Sequence, residues 1–314
     1  MDLTLDAEQE QLQDAVAAIM RHHPVVDRAR QLGEKMDLEL LGAFDANGYL
    51  DVVRDASAVE GVLVVEQAAK GGALAPIAAR VLAGPLAGIT DLPPAIGLVD
   101  RAGAIVRYAS ECEAFLVLDG DRARLASSDD ADVEPVDTIL GAQYGRVTVR
   151  GGDDLGDGSG DRLRRAWQVA IAVEVGQTAL AAVAMTVEHV TGRYQFGKPI
   201  GAFQAVQHRL ARSYGMATGA LWLARRASWF NTDEYLTASA AAFACEAADS
   251  TYTNCHQVSG AIGITAEYGL TLRTLRLYAL QRELGGKRAH GRRVAAARRA
   301  RGATDLPMPV HPAI

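Results

Sequence analysis

The chain has 314 residues, enough for one large domain or two to three modest ones, each with a core of its own. Apolar residues make up 49% and charged residues 22%, and the net charge of −6 argues against a general affinity for nucleic acid or acidic membrane surfaces. Cys112, Cys245 and Cys255 are odd in number and lack CxxC spacing, which speaks against a disulfide framework or zinc site and for buried thiols in a reducing, cytoplasmic setting.

Residues 1–88 read as a helical domain. In "LTLDAEQEQLQDAVAAIM", Leu5, Leu12, Ala15, Val16 and Ile19 share one stripe with charges opposite, unlike a signal peptide. "LELLGAFDANGYLDVV" and "EGVLVVEQAAKGGALAPIAARVLAGPL" add further apolar faces, broken at Asn47-Gly48 and Gly71-Gly72. Between 89 and 152 the pattern changes to short β-branched runs, "AIGLV", "AIVRYA", "AFLVLDG", "RARLAS" and "GRVTVRG", which predict a small β domain. Residues 153–161 are rich in Gly and Asp. They lack the closing glutamate of an EF-hand loop and read as a solvated linker.

From 162 to 303 the chain reads as a helical bundle, with residues 304–314 as a tail. No run of about 18 apolar residues stands out as a membrane span. "RLRRAWQVAIAVEVGQTALAAVAMTVEHVTG" is proline-free and predicts one helix of about 45 Å. Gly192 stands where a left-handed cap is expected. Further helices are expected over 202–230, 233–259 and 266–300, and their short connections predict an antiparallel bundle. The eight Lys and Arg of residues 282–301 fall on one helix face, solvated or turned toward another subunit.

No GxSxG, HExxH, Walker loop or Rossmann GxGxxG is present, and the histidines His208 and His256 read as structural. The stretch "RYQFGKPIGAFQ" is different. Arg193 would be favoured at a helix C-terminus by the macrodipole alone. It is accompanied by Gln195, Phe196 and Gln204 around the turn Gly197-Lys198-Pro199, and a planar guanidinium beside amides and an aromatic ring suits a diphosphate joined to flat rings.

"RYQFGKPIGAFQAVQHRLA" resembles the RxQFGxPIxxFQ motif of the acyl-CoA dehydrogenase family. "HQVSGAIGITAEYGLTLRTLRLY" is similar to that family's QxxGGxGFTxE segment, with Ala261 in place of the second glycine. The order helical domain, β domain, helical bundle also matches. The resemblance implies a mainly α chain of acyl-CoA dehydrogenase type: an N-terminal helical domain, a reduced middle β domain and a C-terminal four-helix bundle. It implies that Arg193, Gln195, Phe196 and Gln204, with Gln257 and Gly260, contact the ADP half of an FAD held by a neighbouring subunit.

Two departures narrow that implication. The Thr-Glu…Gly-Ser-Asp and Trp-x-Thr-Asn segments with which the family wraps its flavin ring and acyl thioester are absent from residues 86–150. The family's catalytic glutamate is also displaced. Of its two family positions, one falls on Trp167 and its neighbours, and the other falls on Leu284, leaving Glu283 one residue off register and a weak candidate base. The resemblance is therefore to a shortened subunit of the actinobacterial steroid-degrading type. Such a chain would be a non-catalytic half with no catalytic residue of its own. It would pair with a homologous full-length acyl-CoA dehydrogenase subunit in an α2β2 heterotetramer and share its FAD, while that partner supplies the flavin-ring pocket and the catalytic glutamate. The complex would act on an acyl-CoA and pass electrons to an electron-transfer flavoprotein. The alternatives are a self-sufficient enzyme using Glu283 and a flavin-free scaffold. Glu267 is expected to cap a helix or pair with Arg273.

Overall fold

The computed structural model describes residues 5–230, 233–265 and 267–302; the expected tail lies outside them. The N-terminal part consists of α1 (Ala7–His22), α2 (Val25–Leu32), α3 (Leu38–Ala46), α4 (Val52–Asp55) and α5 (Ala58–Gly71), then a π-helical stretch Ala79–Ala83 that runs into α6 (Gly84–Leu86). The starts of α1, α3 and α5 carry side-chain caps. Asp6 and Gln9 close a reciprocal capping box on α1, and Ser57 caps α5 through the Val59 amide. Gly72, at φ 81°, ends α5 in the left-handed region.

Seven strands follow: β1 (Ile96–Val99), β2 (Ala104–Arg107), β3 (Ala114–Asp119), β4 (Arg122–Ser127), β5 (Ala131–Val136), β6 (Tyr144–Val149) and β7 (Asp153–Asp154). They form two sheets, ordered β1-β3-β4-β7 and β2-β6-β5, with β1 parallel to β3 and the other pairs antiparallel. β5 is missing from the sequence reading because "ADVEPV" carries acidic residues and a proline. Pro135 is tolerated there because β5 is an edge strand.

The expected linker at 153–161 is tied down. Asp153 and Asp154 pair with β4, and Ser159 Oγ accepts from the Ala123 amide at 2.7 Å. Gly160 donates to the Asp121 carbonyl, and a Cβ there would lie 2.4 Å from the Arg122 carbonyl oxygen, so only glycine fits.

The bundle is built on α7 (Ser159–Gly192), the 34-residue helix that the sequence predicts. It holds an 18-residue window apolar enough to cross a membrane, which corrects the sequence reading. Most of that window is buried among other helices, as in a core helix. A short hairpin, β8 (Tyr194–Gln195) with β9 (Lys198–Pro199), leads to α8 (Gln204–Trp229) and α9 (Glu234–Ser259), which pack on α7. Buried alanines at 217, 220, 224 and 227 of α8, and at 241, 244 and 248 of α9, let these helices approach closely.

The expected helix 266–300 is in fact two, α10 (Leu270–Leu280) and α11 (Gly286–Ala300). Between them Leu284, Gly285 and Gly286 all take positive φ (53°, 81° and 68°), which no helix sustains. Gly192 is also corrected: it ends α7 without a left-handed φ, and Arg193 leaves in extended conformation (φ −87°, ψ 111°). The reversal comes later, at Phe196 and Gly197, whose φ values of 55° and 80° make the tight hairpin turn.

Candidate active site between the sheets and the bundle

A cavity of about 310 Å³ lies where β1 and β2 face the first half of α7 and the turn after α10. Its walls include Ile96, Val106 and Arg107 from the strands, Trp167, Ile171 and Glu174 from α7, and Glu283 and Leu284 from the turn. Such a volume is at the small end of pockets that take small organic molecules.

Glu283 is the residue whose placement the sequence register misjudged. A regular helix through 283–285 would swing its neighbours by about 100° per residue. The left-handed backbone at Leu284 breaks that relation. Glu283 thereby reaches the cavity wall beside the buried Leu284, and Trp167 Nε1 donates to its Oε2 at 2.6 Å. The two positions that the resemblance offers for the base thus meet in space. Burial pushes the Glu283 carboxyl up to about 7, with Arg107 and the Trp167 hydrogen bond acting against the rise and Glu174 adding to it. A carboxyl poised near neutrality in a cavity wall can take or give a proton.

Glu174 is a second carboxylate, and the sequence reading passed over it. It sits alone in the apolar run "AIAVEVGQTALAA", where an unpaired charge would be costly. That isolation is the signal that could have marked it. Arg107 Nη1 donates to its Oε1 at 3.1 Å and Arg276 Nε at 2.6 Å. Burial would raise its pKa, but these two guanidiniums hold it below the ordinary carboxylate range. Glu174 is therefore a fixed anion, and Glu283 is the group that titrates. Arg273 does not pair with Glu267 as expected; its Nε points to Met185 Sδ at 3.2 Å and Nη1 to the Ala69 carbonyl at 3.4 Å.

The other predicted residues gather at the far end of α7. Arg193, Gln195 and Gln204 are exposed there, as are Gln257 and Gly260 at the end of α9. An apolar cluster of Val183, Val190, Leu210, Cys255 and Leu270, with Ile200 and Val258 packed on it, joins the elements that carry them. Phe196, at the hairpin tip, is 89% exposed and meets Phe203 edge-on at 6.2 Å. Gly260 takes φ 63° and ψ −146°, a conformation open to glycine. From Trp167 to Arg193 the helix rises about 39 Å at 1.5 Å per residue, so the two groups lie near opposite ends of α7.

A family profile described as "Acyl-CoA dehydrogenase, C-terminal domain" matches residues 167–300, which hold Trp167, the hairpin and Glu283. That stretch is similar to the C-terminal domain of acyl-CoA dehydrogenases. Across its length it is similar to "Acyl-CoA dehydrogenase IpdE2" of Mycolicibacterium smegmatis, at 26% identity over 93% of this chain and 99% of the relative. Its fold is that of the ChsE4-ChsE5 complex of Mycobacterium tuberculosis, with TM-score 0.79 and 21% identity over 94% of this chain and 98% of the other. It is equally that of a Tcur3481-Tcur3483 steroid ACAD variant, with TM-score 0.80 and 22% identity over 96% and 99%. A small β domain here lies between an N-terminal helical domain and a helical bundle.

Proposed function

We propose that this chain is a subunit of a heteromeric, flavin-dependent acyl-CoA dehydrogenase that desaturates the Cα–Cβ bond of a steroid-derived acyl-CoA. The observation that carries the reading is the Trp167–Glu283 pair in the cavity wall. A carboxyl with a pKa of about 7 in that wall supports the reading, since an acyl group in the cavity would meet it. In this reading Glu283 takes the α-proton, and the Trp167 hydrogen bond fixes the direction of its lone pairs. FAD, when bound, supplies the two-electron acceptor for the β-hydrogen with its electron pair.

The residues fit FAD unevenly. The exposed Arg193, Gln195 and Gln204 offer donors suited to a diphosphate, and the outward Phe196 offers a stacking face. They stand about 39 Å from Trp167, so the dinucleotide they grip belongs to a different cavity from the one beside Glu283. A cavity of about 310 Å³ holds one small organic group, not a three-ring flavin together with an acyl chain. Both points support a shared arrangement in which a homologous full-length subunit, in an α2β2 assembly, supplies the missing flavin-wrapping walls. The steroid class rests on the printed name of one structural neighbour of this chain, the Tcur3481-Tcur3483 steroid ACAD variant.

The test is purification from the native host through a tag on this chain. Co-purification of a homologous chain, a flavin spectrum and dye-linked oxidation of an acyl-CoA are expected. A lone, colourless chain that binds no acyl-CoA would sink the reading.

A further inference from the structure

Behind the main cavity lies a smaller one of about 20 Å³, and the two share Arg107, Leu140 and Tyr144 as walls. The smaller recess is lined as well by Arg273, Arg276 and Thr178. It has room for about one solvent-sized group. Three guanidiniums thus line a space with no carboxylate among its described walls. Glu174 lines the main cavity instead, and all three of the contacts that Arg107 and Arg276 make with it fall on one oxygen, Oε1.

The hydrogen bonding leaves donors over. Arg276 is committed to Glu174 and to the Ala73 carbonyl. Arg107 uses only Nη1, so its Nε and Nη2 meet no acceptor among the described residues. Arg273 has no carboxylate partner, only a thioether sulfur and a long contact to a carbonyl. Thr178 Oγ1 is buried, its residue 1% exposed, and has no hydrogen-bond partner. A buried hydroxyl and surplus guanidinium donors around one small space form a site for an anion. Burial and the neighbouring Arg276 lower Arg273 to about 10, which leaves it charged at neutral pH.

We propose that this recess binds a carboxylate at the end of the acyl group remote from the thioester. The substrate would then be the CoA thioester of a carboxylate-bearing acid, with Arg273 and Arg107 as the specificity-determining residues. The inference rests on the acyl-CoA dehydrogenase reading and deepens it.

The co-purified complex tests it with matched thioester pairs, adipyl-CoA against hexanoyl-CoA and suberyl-CoA against octanoyl-CoA, assayed by dye-linked oxidation and by calorimetric binding. Wild type is expected to favour one diacid member of a pair about ten- to a hundredfold in kcat/KM. That ratio should fall toward one in Arg273→Met and partly recover in Arg273→Lys. Because Arg273 has no carboxylate partner, its replacement by methionine strands no buried anion. Equal handling of every pair by wild type overturns the inference while leaving the dehydrogenase reading intact, as does a diacid preference that survives Arg273→Met. Failure to bind or oxidise any of the thioesters overturns the dehydrogenase reading and this inference with it.

Discussion

Trp167 and Glu283 stand 116 residues apart in sequence and 2.6 Å apart at indole Nε1 and carboxyl Oε2. One lies on the first half of α7 and the other on the turn that breaks the last helix, so the contact forms only once the bundle has closed. If Glu283 is the base, Glu283→Gln removes proton abstraction while keeping size and polarity. The activity of the complex should then drop about 10²- to 10⁴-fold, with its flavin content unchanged. Steady-state dye reduction beside a flavin spectrum reads both. Full activity in the variant assigns the base to the partner.

The same contact fixes a pH response. Glu283 must be ionised to accept a proton, and its carboxyl is pushed up to about 7 chiefly by burial. kcat/KM should therefore rise with pH and level off above about 7. Trp167→Phe removes a hydrogen bond that lowers this pKa, so the inflection should move to higher pH in the variant. A profile that stays in place would detach Glu283 from the rate.

Stability should move in the opposite direction. Because the folded pKa lies above the ordinary 4.5, the folded chain holds more protons than the unfolded chain between pH 4.5 and about 7. Stability is then full below 4.5 and lost as pH rises through 7, by at most about 3 kcal/mol. Glu283→Gln is expected to melt above wild type at pH 8 and close to it at pH 4.5. Melting curves of the complex at the two pH values decide.

Much of this architecture was legible from residue patterns, and the failures have physical causes. The long α7 was readable because a proline-free, alanine-rich run leaves the backbone no alternative. The strands of the β domain were readable wherever β-branched residues dominated. β5 was not, because its Pro135 and acidic residues are permitted only by an edge position that the local sequence does not reveal. The active-site side was obscured by a single left-handed residue. Leu284 is a poor candidate for φ 53°, yet the two glycines after it let the chain turn and bring Glu283 to the cavity. Arg107, Glu174 and Arg276 come from β2, α7 and α10, so no linear motif could carry them. The hairpin residues, by contrast, are contiguous, so a linear motif could single them out.

The N-terminal domain is fastened to the bundle by Glu66 of α5 and Arg225 of α8, joined by two hydrogen bonds of 2.7 and 2.6 Å. Glu66 is 3% exposed on its side chain. Arg225→Met should cost about 3–5 kcal/mol because it strands a buried carboxylate. The double variant Glu66→Met with Arg225→Met should recover much of that loss, since no buried charge is left unpaired. Chemical denaturation of the three variants beside wild type gives the comparison, and an undiminished loss in the double variant would refute the ion-pair account.

Arg193 tests the other end of α7. Its side chain is exposed at the start of a hairpin and enters no ion pair among the described residues, so Arg193→Ala should leave the unfolding free energy of the isolated chain within about 0.5 kcal/mol of wild type. If the guanidinium grips a diphosphate held by the partner, the variant complex should lose flavin affinity about ten- to a hundredfold, the expected effect of one charged bidentate contact. Arg193→Lys should rescue it only in part, because an ammonium cannot reproduce the planar fork. Flavin titration of the apo-complex separates these outcomes. Unchanged flavin affinity in Arg193→Ala would mean that the hairpin serves packing between subunits, in keeping with the outward Phe196 at its tip, and that the diphosphate is held entirely by the partner chain.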